Sequence, residues 1–251
     1  MAVSTPPDLP SPARTVLVTG ASRGIGAGIA RELLDRGCHV GCGYRTGGEA
    51  IGKLAADHPG QVLPVRVDLG DEAGAPAAVQ SVLDTWGRLD AVILNAGRWQ
   101  GGRLTTMDPA QWWQVIELNL RGNAALARAA LPALTRGHRP SVVLVSSVVG
   151  LIGHPGDTAY ASAKAAMIGF ARSLAKEVGR DGIRVNVLAP GFVDTDMTAA
   201  VPDRSRQVIS DATLLGRFGT VAEIARAAVF LSEDATFCTG SVLSADGGWS
   251  I

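Results

Sequence analysis

Tyr160 and Lys164 stand four residues apart in a Y-x-x-x-K pattern, a spacing that puts both side chains on one face of a helix. A free phenol ionises near pH 10, too high for efficient proton exchange at neutral pH, and a neighbouring ammonium favours the phenolate. A tyrosine so placed serves as general acid when a carbonyl is reduced and as general base in the reverse direction. Ser147, thirteen positions earlier, ends an apolar β-branched run, and its hydroxyl can donate to a carbonyl oxygen as negative charge gathers there. Taken alone, Y-x-x-x-K recurs by chance, and Tyr160 in isolation reads first as an amphipathic aromatic packed at a helix start. The chemical reading rests on the set.

A second constellation lies near the start of the chain. TGASRGIG (residues 19–26) follows the first apolar run and opens into a helical pattern beginning near Ile25. Glycines at Gly20, Gly24 and Gly26 suit a tight strand-to-helix turn in which backbone, with Ser22, Arg23 and Ile25, approaches a pyrophosphate at the helix N-terminus. The spacing is G-x-x-x-G-x-G rather than G-x-G-x-x-G, and a plain tight turn is the bland alternative. An acidic residue about 20 positions on suits the ribose hydroxyl of NAD, and a cationic one the extra phosphate of NADP. Here Tyr44-Arg45-Thr46 ends the second apolar run, with no acid before Glu49. Arg45 and Arg23 together therefore point to NADP(H). Each arginine taken singly reads as a solvated loop residue.

These residues need a frame that brings them together. From Thr15 the chain alternates short β-branched runs with longer helical patterns, the signature of βαβ units around a parallel sheet. Strands are predicted at 15–19, 38–44, 62–67, 91–95, 141–146, 183–188 and 241–245, making a seven-stranded, doubly wound α/β sheet flanked by helices. Asp108 before Pro109 reads as an N-cap, Thr220 with Glu223 as a capping box, and Gly37 and Gly87 as helix stops. The helices near 109–134 and 158–178 carry apolar residues on nearly every side, which predicts burial all round and a homo-oligomer, with a thickly packed monomer as the alternative. Residues 196–215, with Pro202 between polar residues, read as a lid, and Met197, Val201, Val208 and Ile209 as the wall for an apolar substrate tail or as ordinary helix packing.

Bulk properties exclude several classes. With 251 residues and 47% hydrophobic content the chain can bury one full core, and 23 basic residues against 23 acidic leave no footprint for nucleic acid or an anionic membrane. Three cysteines, Cys38, Cys42 and Cys238, fit a reducing compartment rather than a disulfide framework, and no ligand spacing suggests a metal. Residues 1–13, rich in proline and without a secretory pattern, read as a flexible lead-in to a single domain over 14–251, with a cytoplasmic location expected.

From Arg14 to the C-terminus the chain resembles the short-chain dehydrogenase/reductase family. The matching motifs are TGASRGIG, Asp68-Leu69, Asn95-Ala96-Gly97, Asn119, Ser147, Tyr160 with Lys164, and Pro190-Gly191 followed by Thr195, all in the expected order. The resemblance implies a Rossmann-type fold and a tetrad in which Asn119 joins Ser147, Tyr160 and Lys164, holding a water that links Lys164 to solvent. It also implies that Lys164 grips the nicotinamide ribose, Asp68 contacts the adenine, and the Asn95-Ala96-Gly97 turn backs the cofactor. Val193 and Thr195 position the carboxamide and phosphates on the same reading, and Tyr44 and Leu69 count among the cofactor contacts. Within the family, SSVVG (146–150), PGFVDTDM (190–197) and Asp246-Gly247-Gly248 look most like 3-oxoacyl-acyl-carrier-protein reductases and polyketide ketoreductases. That likeness implies a tetramer reducing a 3-oxoacyl thioester on acyl carrier protein or CoA. The alternatives are an NADP-dependent sugar or small-alcohol dehydrogenase and a non-catalytic dinucleotide sensor.

Departures from the pattern are Leu94 before the Asn-Ala-Gly turn and the stretch Arg98-Trp99-Gln100-Gly101-Gly102 after it. Trp99 either lines a substrate pocket or covers a loop. His154 and Asp157 are expected to shape a loop or pocket edge. Arg136, His138, Arg139 and Arg180 offer a basic group for an acidic carrier protein, weakened by Asp181 and more simply read as a solvated surface.

Overall fold

The computed structural model describes residues 13–68, 70–71, 74–199 and 201–251. Leu69 and all but the last residue of the expected lead-in lie outside the described residues. The first half runs β1 (Thr15–Thr19), α1 (Gly24–Asp35), β2 (His39–Tyr44), α2 (Gly48–Asp57), β3 (Val62–Arg66), α3 (Gly74–Trp86) and β4 (Ala91–Leu94). The second half continues with α4 (Pro109–Ile116), α5 (Gly122–Leu134), β5 (Ser141–Val145), α6 (Val149–Ile152), α7 (Thr158–Val178) and β6 (Arg184–Pro190). Then come α8 (Asp196–Ala199), α9 (Asp203–Ala212), α10 (Val221–Val229) and β7 (Val242–Ala245).

The seven strands form one parallel sheet in the order β3-β2-β1-β4-β5-β6-β7. Side chains alternate across it. On one face Leu17, Leu94 and Leu144 pack with Val82, Leu126 and Met167 from α3, α5 and α7. On the other, Val16, Val18, Val40 and Val143 pack with Ile29, Leu33 and Val229 from α1 and α10. Both faces are covered, so the strands read as unbroken apolar runs. Because all strands run the same way, their carboxyl ends share one edge, and the order reverses between β1 and β4, where such folds open a ligand crevice.

Local signals act as the sequence suggests. Asp108 caps α4 by accepting from Gln111 N at 3.0 Å, and Thr220 and Glu223 form a reciprocal capping box on α10. The expected continuous helix over 109–134 is instead interrupted by a π-helical turn, Glu117–Arg121, between α4 and α5. The single chain leaves open part of the second face of these helices, the face expected to meet a neighbouring subunit. Ala165 and Gly169 on α7 are exposed, and Ala124, Ala125, Ala166 and Phe170 are only half-buried. The segment expected to act as a lid contains two short helices, α8 and α9, tied back by the Arg206–Asp194 ion pair and by Arg206 lying 4.2 Å over the Phe218 ring. Among the described residues, no helix is long and apolar enough to cross a membrane.

Two buried charge clusters brace the opposite, strand-entry edge. Asp90, fully buried, accepts from Thr15 N at 2.8 Å, from His138 N at 2.6 Å and from both Nε and Nη2 of Arg88. Burial works to raise its pKa, but these donors outweigh it and hold the carboxyl below its ordinary value. Nearby, Arg184 donates to the carbonyls of Leu231, Ser232 and Ala235, and Arg14 pairs with Glu233 at 2.9 Å, fixing a second π-helical turn, Phe230–Asp234, against the sheet. Asp90→Ala would leave two backbone N–H groups and Arg88 without their acceptor. We expect a loss of about 3 kcal/mol, read from the denaturant midpoint at unchanged slope; a loss under about 1 kcal/mol would mean that solvent replaces the carboxylate.

Candidate active site

Two turns at the carboxyl ends of β1 and β4 build the crevice. Gly20 follows β1 at φ +67°, a left-handed conformation that glycine adopts without strain. A Cβ on Gly26 would lie 2.2 Å from the Gly20 carbonyl oxygen, so only glycine permits the turn to close onto α1. The first turn of α1 holds no acidic residue and no side-chain cap, which leaves its N–H groups and positive dipole end free for an anion. Across the crevice, the Thr19 hydroxyl accepts from Asn95 N at 3.0 Å and from Ala96 N at 2.9 Å, while Asn95 Nδ2 donates to the Thr19 carbonyl at 2.9 Å. The Asn95-Ala96-Gly97 turn is thereby stitched to the glycine turn.

The π-helical turn supplies the next member. Asn119 is fully buried, its Nδ2 donating to Arg98 O at 2.7 Å and to Val115 O at 2.8 Å, and its Oδ1 accepting from Arg98 N at 3.2 Å. A Cβ on Gly97 would lie 2.5 Å from Asn119 Oδ1 and 3.4 Å from Lys164 Nζ, so this corner is packed around a bare backbone. Asn123, one turn on, donates to Ala96 O at 3.1 Å and holds the same loop from below.

Helix α7 begins six positions after the end of α6 and carries Tyr160 and Lys164 one turn apart. Lys164 is buried, and its Nζ donates to the Val145 carbonyl at the end of β5 at 2.8 Å and lies 5.5 Å from the Tyr160 ring centre. Burial pushes its pKa down to about 8. Tyr160 keeps part of its surface open to the cleft but is closely surrounded by protein. Burial, and secondarily the Asp157 carboxylate, raise its pKa above the ordinary phenol value. The expected lowering of the Tyr160 pKa by Lys164 is therefore corrected: in this structure desolvation and a nearby anion outweigh the ammonium, which is engaged with Val145. Ser147 is half-buried at the same edge.

A cleft of about 800 Å³ joins these parts. Gly20, Ser22, Arg23, Gly24, Ile25, Tyr44, Arg45 and Asp68 line one end, and Ser147, Tyr160 and Lys164 the other, with Asn95, Ala96 and Gly97 between and Pro190, Gly191, Val193 and Thr195 on the opposite wall. Gly26 and Asn119 stand behind this lining and shape it. Asp68 also accepts from Gly70 N at 2.9 Å, the turn-forming role its residue type suggests. Of the expected tail-binding wall, Met197, Val201 and Ile209 line the cleft, whereas Val208 is 62% exposed and does not. Trp99 does both things left open for it, lining the cleft while donating from Nε1 to Asp157 at 2.8 Å. The basic residues 136, 138, 139 and 180 sit where β5 and β6 begin, at the far ends of the strands from Tyr160. Sequence reasoning missed Thr19 as the stitch and Leu118 as part of the lining; the motif contained the first, and nothing in the local pattern marked the second.

Residues 20–250 match the family described as enoyl-(acyl carrier protein) reductase, within the short-chain dehydrogenase/reductases. This chain is a short-chain dehydrogenase/reductase. The protein is accordingly an oxidoreductase. It is 40% identical over 239 residues to a 3-oxoacyl-[acyl-carrier-protein] reductase of Chlamydia muridarum, covering 94% of this chain and 96% of that protein. It is 40% identical over 244 residues to the Escherichia coli protein of the same name, with 94% and 96% covered. The Thermotoga maritima protein, also so named, is 35% identical over 238 residues, with 94% and 97% covered.

The buried Lys164 makes stability depend on pH in a definite direction for this dehydrogenase/reductase. Between the folded value of about 8 and the ordinary 10.5, the unfolded chain keeps a proton that the folded one has released, so the site's contribution to stability rises with pH through that window. Lys164→Met removes the effect. Urea unfolding at pH 7.5 and pH 10 should show the wild type gaining on the variant by on the order of 3 kcal/mol, and parallel behaviour of the two would mean that Lys164 is solvated.

Proposed function

We propose that this protein reduces a ketone to a secondary alcohol, selecting NADPH over NADH, and that the ketone is a 3-oxoacyl thioester carried on acyl carrier protein or CoA. The observation that carries the reading is a single cleft holding an anion-ready glycine turn at one end and Ser147, Tyr160 and Lys164 at the other. The residues fit the dinucleotide. Bare backbone at Gly20 and Gly26 lets the turn close onto α1 with the helix's first N–H groups left open for a pyrophosphate, and Arg23 and Arg45 stand exposed at the cleft's end with no acid between Tyr44 and Thr46. Their guanidinium groups suit a ribose phosphate through paired, charge-assisted bonds.

When bound, the cofactor supplies a hydride for the carbonyl carbon. The protein's part is to place and neutralise the oxygen. Tyr160 donates its phenolic proton to that oxygen, and Ser147 donates a hydrogen bond to it as charge develops. Lys164, buried under the cleft floor, holds the ribose hydroxyls and lies close enough to stabilise the phenolate left behind. Asn119 fixes the Arg98 backbone and so the height of the Asn95-Ala96-Gly97 turn. Met197, Val201 and Ile209 form an apolar wall for the acyl tail and exclude water there. The substrate class is supported by the activity for which the relatives are named and by this apolar wall.

The direct test is loss of NADPH absorbance with an acetoacetyl thioester, run beside simple ketones and sugars. Turnover with the thioester and little with the others is the expected result, and Tyr160→Phe should bind NADPH normally while losing at least about a thousandfold in kcat. Activity confined to sugars, or full turnover by that variant, would overturn the reading. Arg45→Asp should move the kcat/KM ratio of NADPH to NADH at least about tenfold toward NADH; an unchanged ratio removes Arg45 from cofactor selection.

A further inference from the structure

Two loops meet beside Tyr160. One follows β4 over residues 98–102, and the other runs over 153–157 into α7. Gly102 N donates to Gly156 O at 2.8 Å, and between the side chains Trp99 Nε1 donates to Asp157 Oδ1 at 2.8 Å. The second carboxylate oxygen of Asp157 lies 3.3 Å from His154 Nδ1. A Cβ on Gly101 would come within 2.8 Å of the Trp99 ring and 3.3 Å of Asp157 Oδ1, so the loop is closed tightly on this pair. Asp157 itself is buried, while Trp99, His154, Asp157 and Tyr160 all face the cleft. A buried carboxylate is costly unless it is paired, and here its partners are the Trp99 indole N–H and the His154 ring.

We propose that Asp157 is a positioning residue of the reduction: three residues before Tyr160, it ties the Trp99 and His154 walls together and fixes its carboxylate at the phenol's end of the cleft, where its charge tunes the acid. The inference rests on the reading of Tyr160 as proton donor. Three residues before Tyr160 and at the entry to the same helix, Asp157 cannot drift away from the phenol, because Trp99 and the Gly102–Gly156 bond hold it from the other loop. Its charge disfavours the phenolate, and burial of the phenol acts in the same direction. The other titratable or charged groups on the cleft walls are Arg23, Tyr44, Arg45 and Asp68 at the dinucleotide end, with Arg98 on the β4 loop, Lys164 on α7 and Asp196 beyond β6. Lys164 opposes Asp157. Together the two charges set how readily the phenol gives and regains its proton.

The chain has only two tyrosines, Tyr44 and Tyr160, so in a Tyr44→Phe background one 13Cζ-tyrosine resonance follows the ionisation of Tyr160 alone. Adding Asp157→Asn keeps an oxygen for Trp99 but removes the charge. Phenolate should then appear about one pH unit lower, and with Tyr44 intact the pH profile of kcat/KM for ketone reduction should lose its acid form earlier by a similar amount. Asp157→Ala should shift the titration equally and raise KM as well, since the Trp99 wall is freed. A titration unmoved by Asp157→Asn, or moved only by Asp157→Ala, overturns the proposal and leaves Asp157 a loop tie. The titration needs no substrate. A moved titration in a protein silent with every ketone removes the reading of the reaction and keeps the link between Asp157 and Tyr160, while turnover with an unmoved titration does the reverse.

Discussion

One hydroxyl joins the two halves of the site. Thr19 ends β1 and accepts hydrogen bonds from two consecutive backbone N–H groups beyond β4, at the point where the strand order turns back on itself. Parallel strands leave their last carbonyls and amides without ladder partners at this edge, and those groups must be satisfied by side chains or by a ligand. Thr19 and Asn95 satisfy the ones nearest the sheet and leave the glycine turn and the start of α1 free. Everything the cleft can hold is set by that division. The groups bonded within the protein give rigidity, and those left open give the binding surface.

The reacting end is governed by burial rather than by close ion pairing. Among the described residues, no carboxylate forms an ion pair with Lys164. It keeps its place through a carbonyl at the end of β5, and desolvation alone lowers its pKa. Tyr160, one helical turn away, is moved in the opposite sense by the same low-dielectric surroundings, with Asp157 adding to the effect. The protonation ranges of the two groups are therefore driven apart. A lysine that releases its proton easily and a phenol that holds its own make a poised pair whose balance responds to any charge brought into the cleft.

Much of the frame was legible because it depends on local chemistry. Strand β1 and helix α7 occur over the residues that the apolar periodicity predicts, the Asp108 cap and the Thr220–Glu223 box form as their residue types require, and Gly37 and Gly87 take the positive φ that ends a helix. What stayed hidden depends on contacts between distant segments. The bond from Trp99 to Asp157 spans 58 positions, and neither residue announces the other. The π-helical turn at Glu117–Arg121 follows from the fit of Asn119 to the Arg98 backbone rather than from helix propensity. The behaviour of Tyr160 was misjudged for the same reason: the spacing to Lys164 is visible in the letters, but the degree of desolvation is not.

That turn also constrains how the chain can change in length. It places Asn119 toward the cleft while the residues after it, Leu126, Ala130 and Leu134, meet the sheet. Losing any one residue between 117 and 121 would restore regular i→i−4 bonding and, on local geometry alone, look like a repair. It would also rotate the two halves of the helix against each other by roughly 100°. Either the amide would leave the Arg98 loop or the leucines would leave the core. The stretch therefore tolerates substitution far better than deletion, and the extra residue acts as a gear tooth that keeps the two ends of one helix in phase with two different neighbours.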